Sequence, residues 1–579
     1  MSSTVLPAAA GRPWRARWRL QASPVQLLAA LLVLAFLLAF LVVPVARVFG
    51  AAFAGADGSF TLVHFSDFFR TTLFRESFGN SLYVAAMSVV VASLLAVPLA
   101  VIVSRFRFPG AALVSTLGVL PLVMPPFVGA VAMQLVLGRN GSLNLLLMDW
   151  FDVRLDVMEG LNGVVFVQAL HYFPFILMNL SASLSNIDTA MEEAGQNLGA
   201  RGFTLLRTIV LPLALPGYLA GASLVFVKVF DDLATPLMLN VTNMLAPQAY
   251  LRVTSVGLGD PMGYVISVIL VAVSIAAMGG SALLLRGRDY SMQQRGGGGL
   301  GRRELSRGGR LLAWGFVVPT LLLVLAPHIG IALLSFATVW SYSPLPDAYT
   351  LAHYGAVLRE TPQFLTNTVL YCGIAGGIDV VLGVLIAWLV SRTRLPGRRL
   401  LDLLAMSALA VPGLVLGIGI LRSYYDVQLP DGTALATSWI MLTVVYAVRR
   451  LPYALRAATA ALQQVHRSLE EAAENLGAGK LTTLRSVMLP LMLGGLAAAF
   501  VTSFATAAVE LSATLVLATR DVDAPLSYGI YVFMQSPAGR GPGAALGVIA
   551  VLTVAICTFA AHRIAEAERG RRTRSGGKP

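Results

Sequence analysis

The sequence has 579 residues, 57% hydrophobic and only 12% charged, where soluble domains carry about twice that charged fraction. No water-soluble fold hides so much apolar surface, so the composition excludes the ordinary soluble classes and points to a membrane protein. The formal charge of +13 is nearly all arginine, because Lys228, Lys480 and Lys578 are the only lysines. These arginines stand between long apolar runs, which favours membrane topology over a nucleic-acid partner.

In chain order, Arg12, Arg15, Arg17 and Arg19 precede an apolar stretch from Val25 to Val45. That stretch is longer than the core of a cleaved signal peptide. It reads as a retained first span, with cleavage near Ala54–Ala56 as the alternative. Runs long enough to cross about 30 Å of hydrocarbon then recur. The predicted spans are 27–49, 81–103, 111–137, 163–184, 209–230, 263–285, 311–336, 366–390, 400–421, 438–460, 487–509 and 543–561, about twelve helices. With both termini cytoplasmic, the inner segments hold roughly 31 of the 42 basic residues, as the positive-inside rule requires. Cys372 and Cys557 both lie in apolar runs and offer neither a disulfide framework nor a metal-ligand spacing.

The chain is also a duplication. Ser104-Arg105-Phe106-Arg107-Phe108-Pro109-Gly110 recurs as Ser391-Arg392-Thr393-Arg394-Leu395-Pro396-Gly397, and Pro125 recurs as Pro412 at the same offset. Glu193-Ala194-Gly195-Gln196-Asn197-Leu198-Gly199-Ala200 recurs as Glu471-Ala472-Ala473-Glu474-Asn475-Leu476-Gly477-Ala478, and the match continues to Leu211-Pro212 and Leu489-Pro490. An even number of spans per half makes the repeats parallel, related by an axis along the membrane normal. The expected fold is therefore an all-α integral membrane protein of two pseudo-two-fold-related six-helix halves, 1–285 and 311–579. A Gly/Arg-rich cytoplasmic linker, 286–310, would join them.

The repeated cytoplasmic loop is the most informative motif. Glycine after a helical stretch supplies a left-handed stop, and proline suits the first turn of the next helix. The expectation is two short helices at an angle beneath the membrane, with Leu198, Phe203 and Leu206 as exposed apolar knobs, matched by Leu476, Leu481 and Leu484. This pattern, Glu-Ala-Ala-x-x-x-Gly with a downstream Leu-Pro, resembles the EAA loop of type I ABC importer permeases. The second copy matches fully, and the first departs only at Gly195. The resemblance implies that Glu193, Ala194, Leu198, Gly199, Phe203 and Leu206, with Glu471, Ala472, Leu476, Gly477, Leu481 and Leu484, form two coupling elements. Each would dock on an ATP-binding subunit. No G-x-x-x-x-G-K-[S/T] loop occurs, so ATP and Mg would be held by two partner subunits, with no cofactor on this chain. An extracytoplasmic binding protein would deliver the solute.

Charges near membrane depth are functional candidates. Lys228, Asp231 and Asp232 stand at the outer end of the fifth span, and the repeat sets Asp232 opposite Glu510. Asp231, Asp232 and Glu510 could form a throat attractive to a cation. Alternatively they cap helices or pair with Lys228 or Arg520. His171 and Tyr172 align with Arg449 and Arg450, and His171 reads as a packed polar residue before a ligand. No arrangement supports covalent or acid–base catalysis, so the expectation is a transport subunit. Fused two-half chains resemble ferric iron permeases and also those for thiamine, 2-aminoethylphosphonate or polyamine. The outer carboxylates favour iron. An ion-coupled secondary transporter, the rival class, would need ionisable residues buried mid-span.

Overall fold

The computed structural model describes residues 23–107, 109–285, 303–535 and 538–575. In chain order the main helices are α1 (Pro24–Phe53), α2 (Thr72–Arg105), α3 (Ala111–Val123), α4 (Pro126–Leu137), α5 (Gly160–Ser185), α6 (Thr189–Asn197), α7 (Gly202–Phe230), α8 (Ala234–Met238) and α9 (Pro261–Leu285). The second half continues with α10 (Arg307–Phe336), α11 (Pro362–Arg392), α12 (Arg398–Ser407), α13 (Gly413–Tyr424), α14 (Trp439–Gln463), α15 (Arg467–Asn475), α16 (Lys480–Ala508), α17 (Ser512–Leu517) and α18 (Arg540–Ser575). Sheet structure among the described residues is limited to a two-residue parallel pairing of Phe106–Arg107 with Arg303–Glu304. Most of the expected linker, 286–302, lies outside the described residues. Its end does not: Arg307–Arg310 already belong to α10.

Among the described residues nine helices are long and apolar enough to cross a membrane, or ten if the bent pair α3 and the helical segment from Pro126 to Phe151 counts as one span. Two of the twelve expected spans depart from this. The ninth is split into α12 and α13 at Val411-Pro412, as the third is split at Pro125, where the chain bends by 103°. In both copies a proline interrupts the hydrogen-bond ladder, so neither apolar run is one straight helix. The tenth, α14, has the length of a span at 25 residues but carries Arg449, Arg450 and Arg456, which removes it from the apolar class.

A second departure concerns the loops. The short stretch after Gly199 is not a separate helix. Residues 202–230 run as one helix, passing through a π turn at Leu206–Val210 immediately before Leu211-Pro212. The same π turn, Leu484–Met488, precedes Leu489-Pro490. Proline has no N–H and crowds the carbonyl four residues back. A wider turn at that point lets the helix enter the membrane unbroken.

Small residues set the packing between spans, as expected where no hydrophobic effect drives helices together. On α7, a β-carbon at Gly217 would lie 2.5 Å from the Asn179 carbonyl oxygen, and one at Gly221 would lie 2.7 Å from the Ile176 backbone. The second half repeats the spacing with Gly495, packed on Ala461, and buried Ala499.

The halves interlock. The C-terminal part of α1 packs against α9 of its own half and against α13 of the other, and α10 packs against α18 of its own half and α4 of the other. Tyr424 donates its hydroxyl to the Ala39 carbonyl at 2.7 Å across this boundary. A β-carbon at Gly419 would sit 2.6 Å from the Pro44 carbonyl oxygen. Gly419→Val should therefore lower stability by about 1–3 kcal/mol through overpacking. Gly373→Ala, where a β-carbon meets nothing within 4 Å, should be neutral. Thermal unfolding of both detergent-solubilised variants checks this.

Candidate functional site

Two regions bring the sequence candidates together: a pair of elbows at one end of the bundle, and a buried charge cluster where the halves meet.

Each elbow begins with a capped helix. Asp188 accepts a hydrogen bond from the Ala190 amide at 3.0 Å to start α6, and His466 accepts from Ser468 at 3.3 Å to start α15. Each ends in a Schellman turn. Gly199 (φ 91°) and Gly477 (φ 86°) are left-handed. Ala200 N donates to Gly195 O at 2.9 Å, and Ala478 N to Ala473 O at 3.0 Å. The turn throws the preceding leucine outward: Leu198 and Leu476 are each 89% exposed. Phe203 and Leu481 are also exposed, as are Glu193, Ala194, Glu471 and Ala472. Leu206 and Leu484 are not the exposed knobs expected. Leu206 is half-buried and Leu484 is 6% exposed, because both open the π turn and face the bundle.

Gly195, the one departure from the motif, has a packing cause. A β-carbon there would collide with the Ile209 side chain. In the other half the pair is Ala473 and Val487. The methyl group gained at one position is lost at the other, so volume is conserved.

Sequence reasoning missed what anchors the elbows. Arg105, at the end of α2, forms an ion pair with Glu192. Arg392, at the end of α11, pairs with Glu470 at 2.6 Å and also donates to the Leu462 and Val465 carbonyls at 3.1 and 2.7 Å. The signal was available, since Ser104-Arg105 recurs as Ser391-Arg392 and Glu192 recurs as Glu470. The contact itself joins residues far apart in the chain.

The charge cluster centres on α14. Arg449 and Arg450 are buried and each donates to Glu510 at 2.5 Å, one guanidinium per carboxylate oxygen. Asp231, from the other half, lies 3.6 Å from Arg449 and accepts from the Gly413 amide at 3.3 Å. Asp232 accepts from Gln168 at 2.8 Å and from the Ala234 amide at 3.1 Å, capping α8. Glu510 makes the matching, longer bond to the Ala513 amide at 3.4 Å, beside α17. The structure thus gathers Asp231, Asp232 and Glu510, but as cap and ion-pair partners. The ion pairs are with Arg449 and Arg450, whereas Arg520, with Lys228 one of the two alternative partners, bonds Asp523. The residues aligned with His171 and Tyr172, Arg449 and Arg450, are therefore the ones that neutralise Glu510 of the second half and, through Arg449, approach Asp231 of the first.

Other polar groups are more isolated. Asp379, in the middle of α11, is fully buried beside the Ser503 hydroxyl and near Arg450. Sequence reasoning passed over it, although a carboxylate in the middle of an apolar run was visible. His171 is packed near His328 in a small apolar cavity shared with Met124 and Met133. Among the described residues no group of three or more His, Cys, Asp and Glu side chains could hold a metal ion.

Comparison with known proteins fixes the family. The sequence profile of the binding-protein-dependent transport system inner membrane component matches residues 88–290 and again 379–570, once in each half. The chain belongs to this family. It is similar to the ferric transport system permease protein FbpB of Actinobacillus pleuropneumoniae, 27% identical over 78% of this chain and 66% of that protein. It is also similar to a putative ferric transport system permease protein FbpB of Haemophilus influenzae, 27% identical over 76% of this chain and 70% of the relative. A shorter match, 38% identical over 148 residues, is to the molybdenum transport system permease protein ModB of Haemophilus influenzae. This permease-family chain spans about two thirds of the length of the first ferric relative.

In this permease, Glu510→Gln would leave two buried guanidinium groups short of a counter-charge. Breaking such a pair costs about 3–5 kcal/mol. The variant should show a much lower thermal midpoint than the parent chain in detergent.

Proposed function

We propose that this chain is the channel subunit of an ATP-driven importer, lying in a bacterial inner membrane with both termini cytoplasmic. The observation that carries the reading is the pair of elbows. Two leucines stand almost fully exposed on rigid left-handed turns at equivalent places in the two halves. Exposed apolar tips of this kind mark interaction sites. A knob held on a stiff turn can pass on a rigid-body movement where a flexible loop cannot. Each elbow would seat in one ATP-binding subunit, which holds the ATP and Mg, and the anchoring pairs Arg105–Glu192 and Arg392–Glu470 would transmit the movement to α2 and α11.

The proposed solute is ferric iron, delivered by an extracytoplasmic binding protein that does the chelating. The names of the relatives that align along most of the chain support it. 2-Aminoethylphosphonate, thiamine and polyamines are the alternatives within the same importer class. Asp231 and Glu510, their charge held by Arg449 and Arg450, and Asp232, held by Gln168, would then act at the pathway as a closed gate and not as open cation ligands. Alternating access would require ATP binding to favour one arrangement of the halves over another.

The reading is tested in proteoliposomes carrying the chain, its ATPase and its binding protein. Radiolabelled ferric iron should accumulate only with ATP. Leu198→Glu combined with Leu476→Glu should abolish both uptake and co-purification of the ATPase, while the chain remains in the membrane at the parent level. Replacing Gly199 and Gly477 together with valine should give the same loss. Undiminished uptake in both double variants would overturn the coupling role, and uptake without any ATPase would overturn the importer class.

A further inference from the structure

At the end of the bundle opposite the elbows lies a cavity of about 370 Å³ between the two halves. It falls within the size range of small-ligand pockets. One wall comes from the first half: Gln134, Arg139 and Glu159. The other comes from the second: Trp340, Tyr342 and Arg540.

The walls are built, not incidental. Buried Asn144 holds the loop beneath Arg139, donating to the Gly138 and Leu155 carbonyls at 2.9 Å each and accepting from the Leu155 amide at 2.8 Å. Trp340 is nearly buried, its indole nitrogen donating to the Ser343 carbonyl at 3.2 Å. Tyr342 adopts a left-handed backbone (φ 56°) and is 77% exposed. A bulky residue adopts that conformation at a cost, and such strain collects at ligand sites. Arg540 heads the last span, and its Nε is buried with no acceptor among the described residues. The rest of its side chain is half-exposed and lines the cavity, where its guanidinium can meet an anion.

We propose that this cavity binds a small polycarboxylate, bridged between Arg139 of one half and Arg540 of the other. Two guanidinium groups face one carboxylate, Glu159, across the lining residues, leaving a net positive charge. Guanidinium forks match carboxylate geometry. Two of them on opposite walls favour a ligand with two anionic groups, and the volume is several times what a single phosphate fills. A bound polycarboxylate would hold the halves in the arrangement seen here, because ligand binding favours the state that offers both contacts. This inference rests on the cavity alone and stands whether or not the transported solute is ferric iron.

The test is calorimetric titration of the purified full chain in lipid nanodiscs with citrate, and in parallel with inorganic phosphate. Citrate should bind saturably, and more weakly as ionic strength rises. Arg540→Gln and Arg139→Gln should each weaken it by about tenfold or more. Glu159→Gln, which removes the like charge, should tighten it severalfold. Arg139 is exposed on its loop, so its variant stays informative if Arg540→Gln fails to fold. Tighter binding of phosphate than of citrate would overturn the polycarboxylate assignment. No saturable binding of either anion, or citrate affinity unchanged in the arginine variants, would overturn the site.

Discussion

Two guanidinium groups buried inside a membrane bundle set the condition that the rest of this structure meets. Arg449 and Arg450 follow each other on α14, a helix otherwise apolar enough to sit among other spans. An isolated charge there would be costly, so each finds an oxygen of Glu510, and Arg449 also approaches Asp231. These contacts tie four places together: the tenth span, the end of the eleventh, the end of the fifth, and the first turn of α13 after the break at Pro412. The last two of those partners lie in different halves, so neutralising α14 also joins the halves.

The same logic of anchoring operates at the other end. The elbows stand out from the bundle, yet each is pinned at its first turn by an arginine from the end of a long span. The exposed leucine is therefore the tip of a rigid assembly that begins at Arg105 or Arg392. The pair Gly195 and Ile209 against Ala473 and Val487 shows how closely the elbow lies on the start of its span. Where one half keeps the larger aliphatic residue, the other partner gives up its methyl group, and the elbow keeps its position.

Interlocking of the halves gives these local features a common frame. Because α1 and α10 each pack on their own half and also on the broken span of the other, movement of one half cannot proceed without sliding these helices. Glycines at the crossing, Gly419 beside Pro44 and Gly330 beside Ala132, let backbones approach closely enough to make that contact.

The sequence by itself determined the membrane class, the duplication, most of the spans and the elbows. Apolar runs, arginine placement and a glycine that must turn left-handed are local signals, each readable within one stretch of chain. The positions of Leu198 and Leu476 at the elbow tips follow from that turn alone. Only the tertiary structure decided which apolar runs are bent, that Leu484 turns inward, that Arg449 and Arg450 and not Arg520 neutralise Glu510, and that Asp379 lies buried beside Ser503. Those outcomes depend on which side chains from distant segments meet in a medium that penalises every unpaired charge. Pairing across the bundle is a property of the packed helices, and no single run of residues contains it.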